Sequence, residues 1–112
     1  MSPLRVFGVD VGGTGIKMGA VEASDPPRVL ETDLLLQEVD RPVGKTIALV
    51  AERLRELERV VGWDGVDGIG IGSAGLIERS GGRIAFSPNL PVWAGAPLIT
   101  LFSRYFNVPV RV

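Results

Sequence analysis

Asp10-Val11-Gly12-Gly13-Thr14 is the stretch of this 112-residue chain whose residue types and spacing could do chemistry. A single carboxylate, Asp10, sits near the end of an apolar run, Val6 to Val11, and two glycines and a threonine follow at once. An acid delivered by a buried strand into a Gly-Gly turn can bring backbone N–H groups against a phosphate. Glycine has no Cβ, accepts positive φ and lets a ligand touch the main chain. Thr14 adds a hydroxyl and an N–H for phosphate oxygens. Gly15 follows, and Lys17 brings a cation that is either a phosphate contact or a solvated charge on a strand. The plain alternatives are an Asp10 that caps its own turn, and glycines that only make that turn.

Two other stretches tempt and fail. Gly44-Lys45-Thr46 resembles the end of a P-loop, but the pattern needs glycine five residues before Gly44, where Val39 stands, and no strand leads into it. Lys45 therefore reads as a solvated residue of a helix's first turn. Gly70-Ile71-Gly72-Ser73-Ala74-Gly75 fits the dinucleotide fingerprint, yet a turn-rich segment follows instead of a helix. That fold also needs an acid about 20 residues on for the ribose, and no acidic residue lies beyond Glu78. Glycines for close packing explain Gly68 and Gly70 more simply.

The elements that must position the Asp10 turn can be read from periodicity. Val6–Val11 is continuous and apolar, which predicts a central strand. Ile16–Val21 predicts a second strand and an antiparallel hairpin. Val29–Leu36 predicts a third strand, interrupted by Asp33 and so placed at an edge. Ile47, Val50, Leu54, Leu57 and Val61 recur at steps of three and four among charged residues, the signature of an amphipathic helix that Gly62 ends. Trp63-Asp64-Gly65 reads as a turn, and 66–74 as a strand. Residues 76–86 read as a short hairpin, and 87–91 as an irregular loop with prolines on both sides of Asn89-Leu90. A second helix is expected from Ala96-Pro97 to Asn107, with Leu98, Leu101, Phe102, Tyr105 and Phe106 on its apolar side. Val108–Val112 begins another strand. The order predicts an α/β fold: a mixed sheet of about five strands with flanking helices.

Composition narrows the partners. The formal net charge is -1, which gives no electrostatic reason to expect nucleic acid or an anionic membrane surface. With no Cys and no His, disulfides, thiolate metal sites and Ser-His chemistry cannot be built from these residues. Apolar runs are too short to span a bilayer and no secretory leader precedes them, so a cytoplasmic protein is expected. Arg79, Arg83, Arg104 and Arg111 read as surface charges, and Trp93 as packing.

Asp10-Val11-Gly12-Gly13-Thr14, Gly70-Ile71-Gly72-Ser73-Ala74-Gly75-Leu76 and Ser87-Pro88-Asn89-Leu90, with Trp93 and Gly95, together resemble the N-terminal half of a ROK-family sugar kinase of the glucokinase type. The resemblance implies an actin-like ATPase (RNase H-like) fold of two lobes, with residues 1–112 as the first lobe and the second absent. It implies that Asp10, Gly12, Gly13, Thr14, Gly15 and Lys17 hold the phosphates of ATP, with Asp10 near Mg²⁺ through water. It implies further that Gly75 and Asn89 face the sugar. Gly-Gly-Thr-Gly-Ile-Lys is more similar to the polyphosphate/ATP glucokinase branch, while the other two motifs follow the general family, so the phosphoryl donor stays open.

The family's general-base Asp falls just after Val112, so no catalytic residue is expected within residues 1–112 and the chain alone is expected to be inactive. Zinc enters only with a second lobe that carries the family's zinc motif. The expected partners are a small-molecule sugar and the donor, with a homodimer an option at full length. The alternatives are a sugar-binding transcriptional regulator of the same family, disfavoured because only nine residues precede Asp10, and a non-sugar ATPase of the actin or Hsp70 type.

Overall fold

The computed structural model describes residues 2–73, 76–78, 83–86, 93 and 95–112. Gly75 and the whole of the 87–91 loop, Asn89 included, lie outside the described residues, as do the side chains of 76–78 and 83–86.

Strand β1 (Leu4–Val11) lies at the centre of a five-stranded sheet. β2 (Gly15–Ala23) returns antiparallel to it, with Val11 opposite Ile16 and Leu4 opposite Ala23. β3 (Arg28–Leu36) pairs antiparallel with β2 and forms one edge. Helix α1 (Val43–Val60) crosses over to β4 (Gly68–Ser73), which runs parallel to β1. β5 (Leu76–Glu78) and β6 (Arg83–Phe86) pair as a separate two-stranded antiparallel sheet. α2 (Leu98–Ser103) then leads to β7 (Val110–Arg111), parallel to β4 at the other edge. The strand order β3-β2-β1-β4-β7 makes the mixed sheet that the element order predicts.

Alternation along the strands assigns the two faces. Phe7, Val9 and Val11 of β1, Ile16, Met18 and Ala20 of β2, Ile69 and Ile71 of β4 and Val110 of β7 are all buried. They form one cluster with Ile47, Val50, Leu54 and Leu57 of α1 and Leu98 and Phe102 of α2. Both helices therefore cover the same face of the sheet. Each of these side chains larger than Ala20 contributes about 1.5–3 kcal/mol on burial. The expected α1 stripe is present, with Val61 half-buried and Thr46 and Ala51 buried beside it. Gly62 ends the helix at φ +74, its N–H donating to the Arg59 carbonyl at 3.1 Å. Asp33 is on the helix side of β3, opposite Met18, and Arg53 of α1 takes its carboxylate at 3.1 Å. That is how an acid is accommodated on the helix side of the edge strand.

Several local expectations change. Trp63, read as a turn residue, is buried with its ring centroid 6.3 Å from that of Phe7. Tyr105, expected on the apolar side of α2, is 43% exposed. The helix stops at Ser103 rather than Asn107, and in the turn that follows the Phe102 carbonyl accepts from both the Tyr105 and the Phe106 N–H. Arg55 of α1 also donates to the Tyr105 carbonyl at 3.0 Å. Phe106 then lies under the Arg55 guanidinium, 4.3 Å from its centre, and edge-on to Phe7. Of the β4 glycines, Gly68 has a packing reason, since a Cβ there would sit 3.3 Å from the Pro109 carbonyl oxygen. Gly70 has none, because a Cβ there would meet nothing within 4 Å. Among the described residues no helix is long and apolar enough to cross a membrane.

Candidate functional site

The Gly12-Gly13-Thr14 turn joins the two most fully paired strands of the sheet, β1 and β2, so the sheet fixes both its ends. Gly12 and the flanking Gly15 act through the missing Cβ and not through positive φ. Among the described residues positive φ is confined to Gly62, Gly65 and Gly95. A Cβ on Gly12 would stand 3.0 Å from the Gly15 carbonyl oxygen, and one on Gly15 only 2.8 Å from Leu34 Cδ1. The Gly12 N–H donates to that same Gly15 carbonyl at 3.0 Å. Gly13 and Thr14 are exposed, and no described residue accepts a hydrogen bond from their N–H groups.

Asp10 is exposed on the face of the sheet opposite the helices. Its strand neighbours are Lys17 in β2 and Gly72 in β4. A Cβ on Gly72 would lie 3.8 Å from Asp10 Oδ1, which places the carboxylate beside that glycine. Neither Asp10 nor Lys17 has a hydrogen-bonding side-chain partner or an ion pair among the described residues. Asp10 thus does not cap its own turn, and its carboxylate and the Lys17 ammonium project from one face without neutralising each other.

That face is floored by glycine. Gly19, Gly8 and Gly70 stand in register across β2, β1 and β4. A Cβ on Gly8 or Gly70 would meet nothing within 4 Å. A concavity of about 830 Å³ opens there, bordered by Gly8, Gly70, Asp10, Lys17, Thr32 and Leu34. The open face can present one carboxylate and one ammonium to a ligand, and the exposed turn at the end of the same hairpin adds a hydroxyl and two N–H groups that no described residue claims.

Mg²⁺ keeps several waters and takes one or two carboxylates together with substrate phosphates. One uncommitted carboxylate beside a turn with free N–H groups fits that pattern. A cage built from protein alone does not, since no group of three or more metal-ligating side chains occurs among the described residues.

The structure brings Asp10, Gly12, Gly13, Thr14, Gly15 and Lys17 together. Gly75 and Asn89 lie outside the described residues. Trp93 is buried in the core, as packing requires, and Lys45 is exposed in the first turn of α1. Sequence reasoning missed Gln37. Its Nε2 donates to the Gly12 carbonyl at 3.2 Å and its N–H to the Thr14 carbonyl at 3.0 Å. The available signal was a polar residue directly after Leu34-Leu35-Leu36, where hairpin counting brings the end of β3 level with the turn.

Comparison with known proteins places these features in a wider set. Residues 6–112 match the sequence profile of the ROK family. The chain is 35% identical over 100 residues to a glucokinase of Thermotoga maritima, covering 88% of this chain and 29% of that protein. It is 42% identical over 48 residues to a xylose repressor of Caldicellulosiruptor bescii, covering 43% of this chain and 12% of the repressor. Among solved structures, a ROK family glucokinase from Streptomyces griseus in complex with glucose and AMPPNP superposes with a TM-score of 0.80 at 27% identity, over 96% of this chain and 32% of that one. The chain thus spans about a third or less of the length of each of these three relatives.

Proposed function

The chain belongs to the ROK family, and on that premise we propose that the full gene product transfers a phosphoryl group from ATP, or from polyphosphate, to a hexose such as glucose. The observation that carries this reading is the pairing of an exposed turn, whose Gly13 and Thr14 N–H groups have no acceptor among the described residues, with Asp10, which has no partner among them, on the strand that leads into that turn. Identity to a glucokinase, and likeness to a glucokinase solved with glucose and AMPPNP, support the same donor and acceptor classes.

In this reading Gly12, Gly13, Thr14 and Gly15 bring main chain and hydroxyl to the donor phosphates, and Lys17 adds positive charge. Asp10 stands beside Mg²⁺ through water, and bound Mg²⁺ would neutralise charge on the donor. Gly75 and Asn89 orient the sugar. Catalysis of this kind is mostly positioning plus charge stabilisation, with a carboxylate taking the hydroxyl proton. The resemblance puts that carboxylate after Val112. Residues 1–112 are then the first lobe of the actin-like fold, without phosphotransferase activity by themselves, and the gene product works in the cytoplasm.

A coupled assay of the full gene product with glucose and either ATP or polyphosphate tests this. Turnover that requires both sugar and donor is the expected result. Turnover by the isolated 112-residue chain would overturn the placement of the base. The match to a xylose repressor favours a second reading, a sugar-responsive regulator of the same family. Sugar-dependent DNA binding without phosphoryl transfer would select it, and ATP hydrolysis with no hexose binding would select a non-sugar ATPase.

A further inference from the structure

We infer that Gln37 is the positioning residue of the phosphate-binding turn, orienting the Gly13 and Thr14 N–H groups toward the donor; this rests on the kinase reading above. The peptide unit is planar and trans, so a carbonyl held on one side points the N–H of the next residue to the other. Gln37 Nε2 holds the Gly12 carbonyl at 3.2 Å and so aims the Gly13 N–H away from β3. The Gln37 N–H holds the Thr14 carbonyl at 3.0 Å, which fixes the next-but-one peptide unit. The unit between them carries the Thr14 N–H and is pinned from both ends. Without these contacts the turn keeps one internal backbone bond, from the Gly12 N–H to the Gly15 carbonyl.

Gln37 is itself held. Arg41 donates to the carbonyl of the preceding residue, Leu36, at 2.8 Å through its terminal nitrogen, and to Thr46 Oγ1 at 2.9 Å through Nε. Thr46 is 1% exposed, and its hydroxyl donates to the Pro42 carbonyl at 3.3 Å. A continuous set of hydrogen bonds thus runs from the first turn of α1, through Arg41, to the residues that brace the turn. Gln37 touches no reacting atom in this scheme; it works through the backbone it holds.

The test compares wild type, Gln37→Glu and Gln37→Met in the full gene product. Glu keeps the shape but sets a carboxylate oxygen against the Gly12 carbonyl. Met keeps the length and removes the donor without adding charge. Kd is measured by titration calorimetry for Mg–AMPPNP and, separately, for glucose, with thermal unfolding in parallel. The expected result is donor affinity weakened roughly tenfold or more in both variants, the loss of one hydrogen bond's worth of orientation. Glucose affinity is expected to stay within about twofold, since the sugar contacts lie elsewhere. Donor affinity unchanged in both variants overturns the role of Gln37. A parallel loss of donor affinity, sugar affinity and melting temperature overturns it too, by making Gln37 a general structural residue. Wild type that binds neither ligand defeats the kinase reading itself, and this inference with it, on the wild-type titration alone.

Discussion

Two glycines of β1 and its turn should respond in opposite directions to the same substitution, alanine. At Gly8 an added methyl meets nothing within 4 Å, so the change carries no packing penalty. Glycine in a strand is worth roughly 0.5–1 kcal/mol less than alanine through backbone entropy. Gly8→Ala should therefore stabilise the chain by about that amount. At Gly12 the methyl would stand 3.0 Å from the Gly15 carbonyl oxygen. That oxygen already accepts the Gly12 N–H at 3.0 Å, so it cannot retreat without stretching the bond that closes the turn. A weakened hydrogen bond and local overpacking together cost about 1–2 kcal/mol. The two variants then differ by about 2 kcal/mol, which is roughly 8–16 °C in melting temperature for a domain of this size. Thermal unfolding without ligand, followed by circular dichroism, reads the difference directly. A Gly8→Ala protein that melts below wild type, or a Gly12→Ala protein that melts with it, would show that close contact at the turn is not what separates these glycines.

Asp10→Asn should change stability by no more than about 0.5 kcal/mol, because the exposed carboxylate has no partner among the described residues. Phosphoryl transfer by the full gene product should fall at least about tenfold, the scale of a lost charge-assisted contact; unchanged turnover would remove Asp10 from the site. Leu54→Ala empties a fully buried position of α1 and should cost about 2–5 kcal/mol in denaturant unfolding. Thr46→Val keeps the shape but leaves the largely buried Arg41 Nε without its acceptor, for a loss of about 1–3 kcal/mol that Thr46→Ser should restore.

What was legible in the sequence depended on how local its cause is. The β1–β2 hairpin and α1 follow from period-2 and period-3.6 patterning over a few residues, and both lie where that patterning puts them. The candidate site at Asp10–Thr14 was legible as a strand, an acid and a turn because the three are contiguous. Trp63 was misjudged because its neighbours Asp64 and Gly65 are turn formers, while its own burial is set by Phe7, far away in sequence. Tyr105 was misjudged because helical spacing was carried past a helix that ends at Ser103. Gln37 was missed because its partners, Gly12 and Thr14, come from another strand's turn, and the polar residue after Leu34-Leu35-Leu36 gains meaning only once β3 is registered against β2. Which property of glycine the turn uses was not legible either. Composition says that a Cβ is unwelcome there, and only the packing says why.

The same distinction bears on the open face of the sheet. Local and tertiary preferences usually agree in a folded chain, and places where they part tend to be sites of function. Gly68 is required by Pro109, and Gly19 has β3 atoms at ordinary contact distance, so both are explained from within. Gly8 and Gly70 each forgo strand stability and receive no internal contact in return. They stand in register with each other, two residues along the strands from Asp10 and Gly72, and so on the same face. A floor without side chains lies beside a carboxylate that has no partner among the described residues, which leaves room for something that approaches the backbone closely from outside. The two glycines that receive no internal contact thus lie next to the acid that the described residues leave unpaired.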